Sequence, residues 1–115
     1  MNKELKSSDL AAKKCKPCTA RTPPLQQAKI ALLLAQLDGW TQQGKAIEKT
    51  VTFTNFHQAM SFVNAVAWVS NQEDHHPELT ISYNKCKVEY TTHSVGGLSD
   101  NDFICAAKVD ALLVV

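Results

Sequence analysis

Apolar residues recur along this chain at two periods, and the switches between those periods mark out its elements. From Leu25 to Leu37 they fall at near-helical spacing, with Leu25, Ala28, Leu32 and Ala35 on one side, and Asp38-Gly39 supplies a C-terminal stop. Between Trp40 and Phe53 the period drops to two: Ile47, Val51 and Phe53 share one parity, and Gln43-Gly44 predicts the turn of a hairpin. A second helical stripe follows in Phe56, Ala59, Met60, Val63, Val66 and Ala67, opened by Asn55 and Gln58 at the spacing of a capping box. Leu79, Ile81 and Tyr83 then alternate with Thr80 and Ser82, and Asn84-Lys85 predicts a reversal into Cys86, Val88 and Tyr90. Ser99 and Asp102 repeat the N-cap arrangement ahead of Phe103, Ala106, Ala107 and Leu113, which predict a closing helix.

Two hairpins on either side of a helix can join into one sheet, and an apolar sheet face has to be covered. The predicted fold is α+β: a four-stranded antiparallel sheet with three helices packed on one face, in the order α-β-β-α-β-β-α. An open edge on so small a sheet invites pairing with a second copy, so a homo-oligomer is expected. Residues 1–24 carry little apolar periodicity and end in Arg21-Thr22-Pro23-Pro24, which cannot continue a helix. They are expected to form a flexible N-terminal arm ahead of a single domain over 25–115.

Composition narrows the function classes. A chain of 115 residues can bury one core without disulfides or a metal, and 44% hydrophobic with 20% charged residues is the balance of a globular chain. A formal net charge of +1 lacks the basic surplus that nucleic acid or anionic lipid demands, so neither is an expected partner. The longest apolar run, Ile30 to Ala35, is far too short to span a bilayer, and the basic N-terminus has no apolar core of a secretory signal. A reducing, cytoplasmic location is therefore expected, with Cys15, Cys18, Cys86 and Cys105 as free thiols. Cys15 and Cys18 supply half a zinc site at most, because Cys86 and Cys105 fall inside a predicted strand and a predicted helix.

Candidate chemistry lies at the second hairpin. His75 and His76 precede it and His93 follows it, so antiparallel pairing brings all three to one rim of the sheet. Imidazole titrates near neutrality, and a cluster can present an acid and a base at the same pH. Solvated loop histidines and a three-imidazole zinc set are the competing readings. Against zinc, adjacent His75 and His76 diverge on extended backbone, and no second histidine stands at i+4 to share a metal face.

The segment Glu73-Asp74-His75-His76-Pro77-Glu78, followed in order by Tyr83-Asn84, Thr92-His93, Gly97-Leu98-Ser99 and Asp102, resembles the signature of the pterin-4a-carbinolamine dehydratases. Gly39-Trp40 and residues 53–68 are similar in pattern, so the resemblance covers everything after Pro23-Pro24. It implies an α+β lyase that dehydrates 4a-hydroxytetrahydropterin to the quinonoid dihydropterin, with no cofactor and no metal. It implies His75, His76 and His93 as catalytic residues and Asp102 as a supporting acid. Glu73, Pro77 and Thr92, in the same segments, and Thr91 beside them are expected to bind substrate. The partners implied are the pterin substrate, further copies of the chain in a homodimer or homotetramer, and a functional link to an aromatic amino-acid hydroxylase whose cofactor is recycled. Animal relatives of the family also serve as dimerisation partners of a transcription factor, so a non-catalytic binding module on the same fold is the alternative. Leu79 stands where many members have an aromatic residue and Cys86 where valine is common, differences that bear on substrate affinity more than on chemistry.

Overall fold

The computed structural model describes residues 7–113. Its elements in chain order are α1 (Ser7–Ala11), α2 (Gln27–Leu34), β1 (Thr41–Gln43), β2 (Ala46–Thr52), α3 (Phe56–Glu73), β3 (Glu78–Ser82), β4 (Lys85–Tyr90), a 3-10 turn (His93–Val95) and α4 (Asp100–Ala111). Local signals start them. The Asn55 side chain accepts the Gln58 amide at 2.9 Å and opens α3, while the Gln58 side chain reaches one residue further back than a capping box requires, to the Thr54 amide at 3.1 Å.

The two hairpins join as predicted into one antiparallel sheet of order β1-β2-β4-β3. Its register sets Ile47 opposite Tyr90, Val51 opposite Cys86 and Leu79 opposite Val88, so these apolar side chains share one face. Against that face lie Phe62 and Val66 from α3 and Phe103, Ala106 and Val109 from α4. Each fully buried large side chain in this layer contributes about 1.5–3 kcal/mol relative to exposure. The outer face is polar, with Glu48, Glu89 and Glu78 aligned in one row across three strands and Thr50, Lys87 and Thr80 in the next. Lys49 breaks the β2 alternation, since it pairs with Val88 on the core side. Its ammonium leaves the core by donating to the Asp38 carbonyl at 2.8 Å and to Asp110 at 2.9 Å, a carboxylate that also accepts the Trp40 indole N–H.

Residues 1–24 are read above as a flexible arm; residues 1–6 lie outside the described residues, and from Leu10 onward the chain lies against the domain. Leu10 is 2% exposed within the core, α1 packs on α4, and the Lys108 ammonium donates to the Ala11 carbonyl at 2.7 Å. Further on, Lys16 and Asn101 exchange two hydrogen bonds, from the Lys16 amide to Asn101 Oδ1 and from Asn101 Nδ2 to the Lys16 carbonyl. The segment is attached by the few apolar contacts of Leu10, Ala11 and Cys15 and by polar bonds to α3 and α4, so it carries no hydrophobic period for a pattern search to find. Pro24 closes the path over Gly97, where an added Cβ would stand 3.1 Å from the proline ring, and the Leu25 amide donates to the Leu98 carbonyl at 2.8 Å.

Candidate active site

Three chain features converge on one imidazole. α3 ends at Glu73, and Asp74 takes the left-handed conformation, φ 50° and ψ 43°, which turns the chain so that the His75 amide closes onto the Ser70 carbonyl at 3.2 Å. On the far side of β4, Thr92 and Gly97 form an isolated bridge around the 3-10 turn, and this small closed loop fixes the Thr92 hydroxyl. Third, Ser99 caps α4 and places Asp102 in its first turn, fully buried.

The Asp102 carboxylate is the hub. Its Oδ2 accepts the Ser99 amide at 2.9 Å and the Thr92 hydroxyl at 2.8 Å, and its Oδ1 lies 2.6 Å from His75 Nε2. Because Thr92 gives its only proton to Asp102, the 2.8 Å contact between the Thr92 and Ser99 hydroxyls has Ser99 as donor. A carboxylate only accepts, so Nε2 of His75 carries hydrogen and Nδ1 is left as the basic nitrogen of the neutral ring. The ring is further held by stacking on Tyr90, with centroids 5.6 Å apart and planes at 9°. His75 is thus fixed in rotation and tautomer while its side chain stays 12% exposed.

It opens onto a cavity of about 460 Å³, large enough for a bicyclic ring. Glu73, His75, Thr92 and Ser94 line it together with the segment Lys14–Cys18. Glu73 belongs to the wall by structure as well as by position: its Oε1 accepts the Cys15 amide at 2.8 Å and so ties the N-terminal segment to the end of α3. His76 and His93 are both exposed and lie outside this lining, with His93 between the two lining residues Thr92 and Ser94. Pro77 is half-buried and also outside it. Thr91 faces away, with its hydroxyl donating to the Lys45 carbonyl in the first hairpin turn. His75, Asp102, Thr92 and Glu73 are therefore brought together, and Thr91 is not one of them. Among the described residues, no three His, Cys, Asp or Glu side chains are placed to share a metal ion.

Tyr90, Asn101, Cys15 and Cys105 are parts of this region that residue patterns did not single out for it. Tyr90 appeared only as an alternating strand residue, and Cys15 only as half of a Cys-x-x-Cys pair. Burial pushes the Tyr90 phenol and the Cys86 thiol above their ordinary values, and Cys105 is raised by its contact with Cys15 and then by burial. These acids stay neutral when folded at pH values where the unfolded chain ionises them. Their stabilisation is complete below the ordinary thiol and phenol values of 9.0 and 10.0, and is lost as pH rises beyond them. Urea titrations between pH 8 and pH 11 should show stability falling by about 1.4 kcal/mol per pH unit for each group then ionised only in the unfolded chain. A flat alkaline profile would contradict this.

Comparison with known proteins gives a consistent result. The sequence profile of the family described as Pterin 4 alpha carbinolamine dehydratase matches residues 23–112. A relative assigned to that family in Nitrosospira multiformis is 61% identical over 107 residues, covering 93% of this chain and 95% of its own. One from Legionella pneumophila is 46% identical over 111 residues, covering 94% and 98%. Among solved structures, the transcriptional coactivator/pterin dehydratase from Brucella melitensis superposes with a TM-score of 0.75 at 32% identity, over 77% of this chain and 97% of that one. A pterin dehydratase-like protein identified as a RuBisCO assembly factor in the alpha-carboxysome superposes at 0.56 and 26% identity, over 64% and 88%.

Proposed function

Because the chain belongs to the pterin-4a-carbinolamine dehydratase family, we propose that it is a lyase dehydrating a 4a-hydroxytetrahydropterin to the quinonoid dihydropterin. The step returns the pterin cofactor of an aromatic amino-acid hydroxylase to use, in the cytoplasm. The observation that carries this reading is the buried Asp102 carboxylate 2.6 Å from Nε2 of a half-buried His75 that faces the cavity.

Dehydration of a carbinolamine breaks the carbon–oxygen bond as the departing oxygen gains a proton, and the adjacent nitrogen loses its proton as the carbon–nitrogen double bond forms. Two groups in opposite protonation states serve both ends. His75, with Nε2 hydrogen-bonded to Asp102, offers Nδ1 as the base. The solvent-facing His93, beside Thr92 at the rim, takes up protons from water and delivers one to the leaving hydroxyl. His76 positions the pterin at the rim together with Pro77, and Glu73 and Thr92 form the adjoining wall.

The test is to mix purified protein with freshly generated 4a-hydroxytetrahydropterin in excess chelator and follow quinonoid dihydropterin by absorbance. The expected result is acceleration over buffer that the chelator leaves intact, reduced about 10²-fold or more in His75→Ala and in His93→Ala at saturating substrate. Full rates in both variants would remove the histidine assignment, and no acceleration by the parent protein would remove the lyase. In that event the non-catalytic dimerisation module gains. It is favoured by the side chains of Trp68 and Phe56, 64% and 48% exposed along α3, and by the coactivator named in the Brucella melitensis structure. Either reading carries a homodimer or homotetramer, with edge strand β3 as one pairing surface. Light scattering should return a multiple of 12.7 kDa, and a monomer at micromolar concentration would contradict it.

A further inference from the structure

Cys15 and Cys105 are 90 residues apart in sequence, yet their sulfur atoms lie 3.5 Å from each other. They differ in setting. Cys15 is partly exposed, sits between Lys14 and Lys16, and belongs to the segment that lines the same cavity as His75. Cys105 is fully buried in α4. Near this point the segment is held by the Cys15 amide bond to Glu73, by the Lys16–Asn101 pair and by the packing of Cys15 against the core.

We propose that Cys15 and Cys105 form a peroxide-sensitive dithiol whose oxidation joins them in a disulfide and fastens the N-terminal segment to α4 as a fixed wall of the cavity. The first sulfur to react is that of Cys15, which solvent reaches from the cavity while Cys105 is sealed behind it. It attacks one oxygen of hydrogen peroxide, the O–O bond breaks, and Cys15 becomes a sulfenic acid with release of hydroxide, protonated to water. The Cys105 sulfur then attacks the Cys15 sulfur; the S–S bond forms, the S–O bond breaks, and the departing hydroxide takes the Cys105 proton as a second water. Two thiols are oxidised by two electrons and one peroxide is reduced to two waters. Cys105 keeps its proton until that moment, because contact with Cys15, burial and the neighbouring Glu73 and Asp102 carboxylates all disfavour its thiolate.

The geometry separates this pair from the nearer one in sequence. Cys18 directs its sulfur toward the Lys16 carbonyl at 3.8 Å and accepts from Asn101 Nδ2 at 3.4 Å. Reaching disulfide length from 3.5 Å needs an approach of about 1.5 Å, within a side-chain rotation and a small shift of the segment. Closing so long a loop restricts the unfolded chain strongly, so the oxidised protein should melt about 10 °C higher.

The test uses the full reduced chain treated with equimolar hydrogen peroxide, followed by non-reducing peptide mapping and a thermal melt. The expected products are a peptide pair linked through Cys15 and Cys105 and a melting temperature raised by about 10 °C, both reversed by dithiothreitol. Cys15→Ser should abolish the link and the shift together. Cys105→Ala should leave Cys15 as a sulfenic acid that dimedone labels. A Cys15–Cys18 link, a link between two chains, or over-oxidation of Cys15 without any link would each overturn the proposal.

Discussion

Replacing Asp102 by Asn is expected to lower the kcat of carbinolamine dehydration by about 10²- to 10⁴-fold while leaving KM within a few-fold. The two side chains have the same shape, and the amide oxygen can still accept the Ser99 N–H, which keeps the start of α4 intact. What changes is the other end. An amide N–H₂ facing Nε2 of His75 is a donor where the carboxylate was an acceptor, so the ring must turn its lone pair to Nε2 and carry hydrogen on Nδ1. Nδ1, the nitrogen that makes no bond to Asp102, is then no longer basic. Steady-state rates and far-UV circular dichroism on the same preparation check this: a folded Asp102→Asn variant with an unchanged kcat would mean that His75 does not act through the tautomer that Asp102 imposes.

Leu10→Ala should destabilise the protein by about 2–4 kcal/mol in urea unfolding, the cost of removing a large buried side chain that its surroundings only partly refill. Leu10 is 2% exposed and belongs to the same core cluster as Phe103 and Val109, although it sits on a five-residue helix at the edge of the chain. A loose arm would respond within about 0.5 kcal/mol, so the measurement separates the two descriptions of residues 7–24 cleanly.

How far the molecule was legible in its residues follows from which forces hold each part. Ile47, Val51, Cys86, Val88 and Tyr90 stand at period two because a sheet face is buried, and that period predicts the strands and their turns, while the spatial order of the strands came only with the structure. Asn55, Ser99 and Asp102 announce helix starts through local hydrogen bonds that a spacing reveals. Lys49 hides its role, since a lysine at an inward position makes sense only once Asp110 and Trp40 are known to meet it. The N-terminal segment was missed for a related reason: its bonds reach Glu73, Asn101 and Lys108, and no neighbour in sequence hints at them. At the site, Ser99 and Asp102 were visible as a cap, but nothing local shows that the same carboxylate also holds His75. The hairpin argument concerned His75, His76 and His93; just past β4 it is Thr92 that meets the Asp102 carboxylate shared with His75, while the Thr91 hydroxyl, one residue away, turns to the Lys45 carbonyl.

The central claim is that Asp102 fixes His75 with hydrogen on Nε2 and Nδ1 exposed to a pterin in the cavity. Imidazole ¹⁵N resonances of His75, recorded at neutral pH without and with a saturating, non-reacting dihydropterin, report on both halves of it. The account predicts a protonated Nε2, an unprotonated Nδ1, and a shift of the Nδ1 resonance when the pterin binds. Hydrogen on Nδ1 with a bare Nε2, or a His75 ring indifferent to bound pterin, would contradict it.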